Sequence, residues 1–200
     1  MKLKMNQKKE DTNSYYKVAE KGKWGFQNSQ HQWVIKQFFD SLEKFDEQDY
    51  SKAQLDNKFG FIGKNSEWRI HPIFNSLDSF DAVDYCKAKI NGKWGYIDRK
   101  GEWVIQPIYD RLAEYSGIDS ASYSVAKVDE KWGYIGREGQ WLIQPIYEET
   151  RLISHDVNFF RVKLNGKWGF IDRNGKWIIQ PLYEEVGFEN IDSFDFCHIF

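Results

Sequence analysis

Residues 85–110 read Tyr85-Cys86-Lys87-Ala88-Lys89-Ile90, Asn91-Gly92, Lys93-Trp94-Gly95-Tyr96-Ile97, Asp98-Arg99-Lys100-Gly101, and Glu102-Trp103-Val104-Ile105-Gln106-Pro107-Ile108-Tyr109-Asp110. Asn-Gly between two alternating runs is a strong hairpin signal, because a type I′ turn needs positive φ at both central residues. A second turn ends at Gly101, and Trp103-Val104-Ile105 then reads as a third strand. The stretch therefore predicts a three-stranded meander. A two-residue turn also sets the register: Lys89 faces Trp94, Ala88 faces Gly95 and Lys87 faces Tyr96. Directly opposite residues share a face. One face carries Cys86, Ala88, Gly95 and Ile97, and the other carries Lys87, Lys89, Trp94 and Tyr96.

The unit recurs along the chain. An aromatic-Gly pair followed nine residues later by Trp occurs at 24–33, 59–68, 94–103, 132–141 and 168–177, and these positions hold all nine tryptophans. The first aromatic recurs after 35, 35, 38 and 36 residues. Such a period implies a repeat architecture in which each small unit buries its apolar face on its neighbour. The first turns are Lys21-Gly22, Asp56-Asn57, Asn91-Gly92, Asp129-Glu130 and Asn165-Gly166, with a looser turn expected at Asp129-Glu130. The second turns end in Gly101, Gly139 and Gly175, with His31 and Ser66 as departures. The four prolines, Pro72, Pro107, Pro145 and Pro181, share one repeat position. They are expected to end the third strand. The glycine after the first aromatic, present in all copies, marks a bulge or a close approach of backbone or ring. The recurrent Gln106, Gln144 and Gln180 predict a hydrogen-bonded ladder between repeats.

The run Gly92 to Asp110 resembles the bacterial WG-repeat family. The match recurs at 166–184 and, with Glu130 and Gly136 as departures, at 130–148. Weaker copies extend it over about 15–185. Lys36-Gln37 in place of Gln-Pro, Phe59 in place of Trp and Ser66 in place of Gly are eroded positions, as expected of an N-terminal cap. The resemblance implies β-rich repeats and specifies no chemistry. The expected fold is all-β: five three-stranded repeats in an open, twisted stack, with a closed five-bladed propeller-like ring as the alternative. The expected organisation is a tail over 1–14 and a single repeat domain over 15–200. Its repeats fall at about 15–49, 50–84, 85–122, 123–158 and 159–195, with a partial sixth strand at 196–200.

Composition narrows the function. A net charge of −2 gives no support for nucleic-acid binding. No signal-like segment and no run of 18 apolar residues occurs, so neither export nor a membrane partner is expected, and the default location is the cytoplasm. Cys86 and Cys197 are too few for a disulfide framework and fit small buried positions. His31, His71, His155 and His198 lie far apart, without metal-ligand spacing, and no catalytic fingerprint is present. Neither an enzyme nor a cofactor is expected. Hairpins are Lys-rich and connectors acidic, so a basic and an acidic edge are expected if repeats stack in register.

The expected activity is protein binding by a repeat scaffold, as in a toxin-neutralising immunity protein or a secretion adaptor, with an unidentified protein as partner. The candidate surface is the irregular connector face at Tyr115, Ile118, Asp119, His155 and Asp156, where residues are gained and the pattern is lost. Tyr115 has a second reading, as the counterpart of the connector rings Phe45 and Phe80. The alternative site is a basic-aromatic stripe formed by Lys87, Lys89, Lys127, Lys163 and Arg161. The other function classes are a carbohydrate-binding module with aromatic platforms and a self-assembling element that pairs through the strand at 196–200.

Overall fold

A computed structural model describes residues 15–115, 123–151 and 159–184. The expected tail and the partial sixth strand, with Cys197 and His198, lie outside these residues. Among the described residues every regular element is a strand, and the strands form five separate antiparallel sheets.

The first sheet holds β1 (Tyr16–Glu20), β2 (Lys23–Gln27) and β3 (Trp33–Phe39). The second runs in the order β4 (Ser41–Leu42), β5 (Ser51–Leu55), β6 (Lys58–Ile62) and β7 (Trp68–Phe74). The third holds β8 (Ser76–Leu77), β9 (Cys86–Ile90), β10 (Lys93–Ile97) and β11 (Trp103–Tyr109). The fourth holds β12 (Arg111–Leu112), β13 (Ser124–Val128), β14 (Lys131–Ile135) and β15 (Trp141–Tyr147). The fifth holds β16 (Glu149–Arg151), β17 (Phe159–Leu164), β18 (Lys167–Asp172) and β19 (Trp177–Tyr183). Each sheet has two unjoined ends, so none closes on itself.

The meander and its register match the sequence reading. Lys89 pairs with Trp94, Lys87 with Tyr96, Lys127 with Trp132 and Lys163 with Trp168. All five first turns have positive φ at both central residues. Asp129-Glu130 is no looser than the rest, with φ of 48° and 64° and the same Val128–Lys131 pairing across it. His31 and Ser66 adopt the positive φ that Gly101, Gly139 and Gly175 adopt elsewhere.

Four sheets gain a strand that the three-stranded reading lacks. One residue after the third strand, the chain crosses to the next sheet and lays down β4, β8, β12 or β16 beside that sheet's first meander strand. The prolines also differ from expectation. They sit inside the third strand, which continues for two more residues. This strand is the edge of its sheet, so the missing N–H breaks no ladder bond. It is also bulged: Phe59 pairs with Phe74 and Phe61 with Ile70, so His71, Pro72 and Ile73 lie opposite Gly60 alone.

That bulge explains the glycine. A Cβ on Gly95 would lie 2.3 Å from the Ile105 carbonyl oxygen and 2.9 Å from both the Pro107 nitrogen and the Trp103 ring. The same contact, at 2.4–2.6 Å to a backbone oxygen, recurs at Gly25, Gly60, Gly133 and Gly169. Both expected causes, backbone and ring, are therefore present.

The chain divides into two compact units, Met1–Ile108 and Tyr109–Phe200. Within the first, the aromatic face of sheet one (Phe26, Ile35, Phe39) packs on the small-residue face of sheet two (Leu42, Ala53, Ile62). Phe61, Ile70 and Phe74 of sheet two pack in turn on Leu77, Cys86, Ala88 and Ile97 of sheet three. Within the second unit, Tyr134, Ile143 and Tyr147 pack on Phe160, Val162 and Ile171. The core thus mixes aliphatic and aromatic side chains. Trp68, Trp103 and Trp177 are half-buried at its margin. There each receives an aromatic of the preceding repeat edge to face: Phe39–Trp68 at 5.6 Å and Phe74–Trp103 at 5.8 Å, then Tyr147–Trp177 at 6.1 Å. Gln106, Gln144 and Gln180 are exposed, and among the described residues none bonds another repeat, so the expected ladder is absent.

Candidate functional site

Three surface features are candidates, and each follows from the repeat. The first is the row of cations around the first tryptophan. Lys17 lies 4.3 Å from the Trp24 ring centroid and Lys87 and Lys89 each 5.2 Å from that of Trp94. Lys127 lies 5.7 Å from Trp132, and Arg161 and Lys163 lie 4.3 Å and 5.6 Å from Trp168. Their charged ends meet carboxylates: Lys52 meets Glu43 at 2.9 Å, Lys87 meets Asp78 at 3.2 Å and Lys163 meets Glu149 at 2.9 Å. Lys127 pairs with Glu130, and Arg161 is buried. The stripe is therefore a set of stems laid over rings, with Lys87 and Lys163 neutralised by connector acids and Lys127 by Glu130 of its own turn. The basic and acidic groups interleave here instead of forming separate edges.

The second feature is a cleft of about 330 Å³ in the first unit, lined by Asp46, Tyr50, Phe80, Asp84 and Arg99 among others. Arg99 follows the Asp98 turn of the third repeat and reaches over the connectors of its neighbours. Its Nε donates to Asp84 at 2.8 Å, its Nη1 donates to Asp46 at 2.8 Å, and its guanidinium lies 4.3 Å from the Phe80 ring. Tyr50 Oη donates to the Arg99 carbonyl at 3.0 Å. Burial pushes the Asp46 carboxyl up, but the bonds from Arg99 and the Tyr50 and Gln48 amides outweigh it and hold the group below its usual range. Every polar group of the cleft that has been named is thus engaged in joining repeats. Among the described residues no three His, Cys, Asp or Glu side chains are placed to hold a metal ion.

Tyr115 falls under the same rule. Its hydroxyl donates to the Gly136 carbonyl at 2.8 Å and its ring lies 4.7 Å from the Arg137 guanidinium. Its ring meets Arg137 much as that of Phe80 meets Arg99. Ile118, Asp119, His155 and Asp156 lie outside the described residues.

The third feature was missed in the sequence. The residue after the proline position is Phe38, Ile73, Ile108, Ile146 or Leu182, and each is between 49 % and 65 % exposed. In the first four copies it projects from the edge strand on the side opposite the buried ring at the next position, Phe39, Phe74, Tyr109 or Tyr147. The signal was available: five large apolar residues recur one place before an aromatic, which is buried in the first four copies, and alternation along a strand puts the two on opposite faces.

The pattern that defines the WG containing repeat matches residues 24–59, 59–94, 94–132, 132–168 and 168–190. This chain belongs to the WG-repeat family. No curated protein matches it. Among solved structures it is similar to the dihydro-heme d1 dehydrogenase NirN, at 10 % identity and TM-score 0.40, over 91 % of this chain and 46 % of that one. It is also similar to PorZ, described as a bacterial surface component of the type-IX secretion system of Porphyromonas gingivalis. There the identity is 11 % and the TM-score 0.29, over 83 % of this chain and 27 % of that one. The chain thus spans less than half the length of either protein.

Proposed function

We propose that this WG-repeat chain is a non-enzymatic protein-binding scaffold whose working surface is the rim of exposed apolar residues on the third strands of the first unit, Phe38, Ile73 and Ile108. The observation that carries the reading is the recurrence of Phe38, Ile73, Ile108, Ile146 and Leu182 at one exposed position. Internal packing does not account for a large apolar side chain there, since each projects into solvent, and exposed apolar groups in series mark interaction surfaces. Proline and the bulge block strand addition at this edge, so the rim offers side chains to a partner. Binding, not turnover, is the activity. A toxin-neutralising immunity protein and a secretion adaptor are the two roles that suit such a surface.

The carbohydrate alternative is weaker, because a sugar needs free ring faces. Here Trp24, Trp94, Trp132 and Trp168 lie under cations. The test is to isolate a partner from the source cell and measure its affinity for Ile73→Glu and Ile108→Glu. Loss of binding at unchanged melting temperature supports the rim. Normal binding by both, with loss in Asp119→Lys, transfers the site to the connector face.

A further inference from the structure

The short fourth strands follow one recognition rule, visible three times. Asp40, Asn75 and Asp110 each accept a hydrogen bond from the first turn residue of the next hairpin, at 2.8 Å from Asp56 N, 3.0 Å from Asn91 N and 3.1 Å from Asp129 N. Their own amides donate to the strand beside them, at Gln54, Lys89 and Lys127. Two residues on, Leu42, Leu77 and Leu112 pair with Ala53, Ala88 and Ala126 and are buried. In the first two cases the next residue is an acid, Glu43 or Asp78, whose carboxylate meets Lys52 or Lys87. The segments read Asp40-Ser41-Leu42-Glu43 and Asn75-Ser76-Leu77-Asp78.

Sheet one carries the receiving half of this arrangement. Its order is β1-β2-β3, and among the described residues nothing pairs with the outer edge of β1. Lys21, Ala19, Val18 and Lys17 stand where Asp56, Gln54, Ala53 and Lys52 stand in sheet two, as their pairing with the second strand shows. Lys21, Ala19 and Lys17 are exposed. Lys17 donates to the Leu42 carbonyl at 3.0 Å but, unlike Lys52 and Lys87, makes no ion pair among the described residues. A strand edge that, among the described residues, has an uncapped turn amide, a small apolar position and an unneutralised lysine is complementary to one kind of segment.

We propose that the outer edge of β1 docks an extended segment of a partner protein with the pattern (Asp/Asn)-x-Leu-(Asp/Glu), which adds as the fourth strand of the first sheet. The side chain of its first residue caps the Lys21 amide, its main chain pairs with Ala19, its leucine covers Val18, and its last acid meets Lys17. The corresponding segment at the far end of this chain is Glu184-Glu185-Val186-Gly187. It lacks both the leucine and the final acid, so a second copy is the poorer occupant. This surface is separate from the third-strand rim, and the two proposals fail independently.

The probe is a labelled peptide with the sequence of residues 39–45, Phe-Asp-Ser-Leu-Glu-Lys-Phe, titrated with the full chain and followed by fluorescence anisotropy. Saturable binding is expected. It should weaken at least about tenfold when the peptide's leucine becomes aspartate, and by about as much in Lys17→Glu and in Ala19→Pro. The proline removes an edge N–H and leaves the other pairing strand untouched. The melting temperature of these variants and the binding of Phe38→Glu should be unchanged. Absence of saturable binding, or equal binding by Ala19→Pro, overturns the proposal. So does a wild-type dimer in sedimentation velocity that Ala19→Pro dissociates, since a second copy is then the occupant. Loss of peptide binding in Phe38→Glu places the peptide on the rim and also overturns it.

Discussion

At the scale of single residues, two positions show how little freedom the repeat leaves. Gly95 sits under its own bulge, and a methyl group there would lie 2.3 Å from the Ile105 oxygen, which is backbone and cannot swing aside. Gly95→Ala is expected to cost about 3 kcal/mol by forcing the bulge open. Gly22→Ala meets nothing within 4 Å and suffers only from its φ of 79°, so about 1 kcal/mol is expected. Urea melts of the two variants check the order, and equal losses would show that the bulge yields. Cys86 is the second case. It is fully buried, its Sγ donates to the Asp78 carbonyl at 3.2 Å, and Ser51 and Ser124 make the same bond at 2.6 Å. Burial, with Asp78 adding to it, pushes the thiol up to about 12. A raised acid favours the neutral folded form. Its contribution is therefore complete below the unfolded value of 9.0 and is lost as pH rises towards 12. At pH 8, iodoacetamide should modify the Cys86 tryptic peptide only after unfolding, as read by mass spectrometry. Rapid labelling of the native protein would contradict this burial.

At the scale of elements, the connectors are held by charge as well as by packing. Asp46 accepts from Tyr50 N at 2.8 Å, Gln48 N at 2.9 Å and Arg99 Nη1 at 2.8 Å, fixing the first repeat's connector to the third repeat's turn. Its depressed carboxyl contributes stability that is complete above the unfolded value of 3.8 and is lost as pH falls through the lower folded value. Arg99→Met should cost about 1–3 kcal/mol at pH 6, and the deficit against wild type should shrink below pH 3.8. Thermal melts at pH 6 and pH 3 read this directly, and a deficit unchanged by pH would assign the loss to packing on Phe80. This contact illustrates what the sequence leaves hidden. The meander was legible because turn chemistry and alternation are local, and Lys89 opposite Trp94 follows from two turn residues. The Arg99 cleft joins residue 46 of one connector and residues 80 and 84 of the next to residue 99 of a turn, and no local pattern links them. Strands β4, β8 and β12 are two residues long, too short for any period to register. The prolines misled because an edge strand tolerates them where a central strand does not.

At the scale of the whole molecule, stability is distributed between neighbours and not gathered in one core. Each buried cluster draws on two consecutive sheets, with the ring-bearing face of one against the aliphatic face of the next in the first unit and with Phe160 stacked on Tyr134 in the second. In such an array, energy is a sum of unit terms and nearest-neighbour terms. Coupling between substitutions should therefore track repeat adjacency. Phe74 and Trp103 belong to consecutive repeats and meet edge to face at 5.8 Å with planes 73° apart. Replacing both by leucine should show a coupling of about 0.5–1.5 kcal/mol in a double-mutant cycle. Phe39 lies in the same compact unit but packs on Trp68, at 5.6 Å. The cycle of Phe39→Leu with Trp103→Leu should be additive within about 0.5 kcal/mol. Denaturant melts of the single and double variants give both numbers. A coupling as large for the Phe39–Trp103 pair as for Phe74–Trp103 would mean that the first three repeats unfold as one indivisible core, and the nearest-neighbour account would fail.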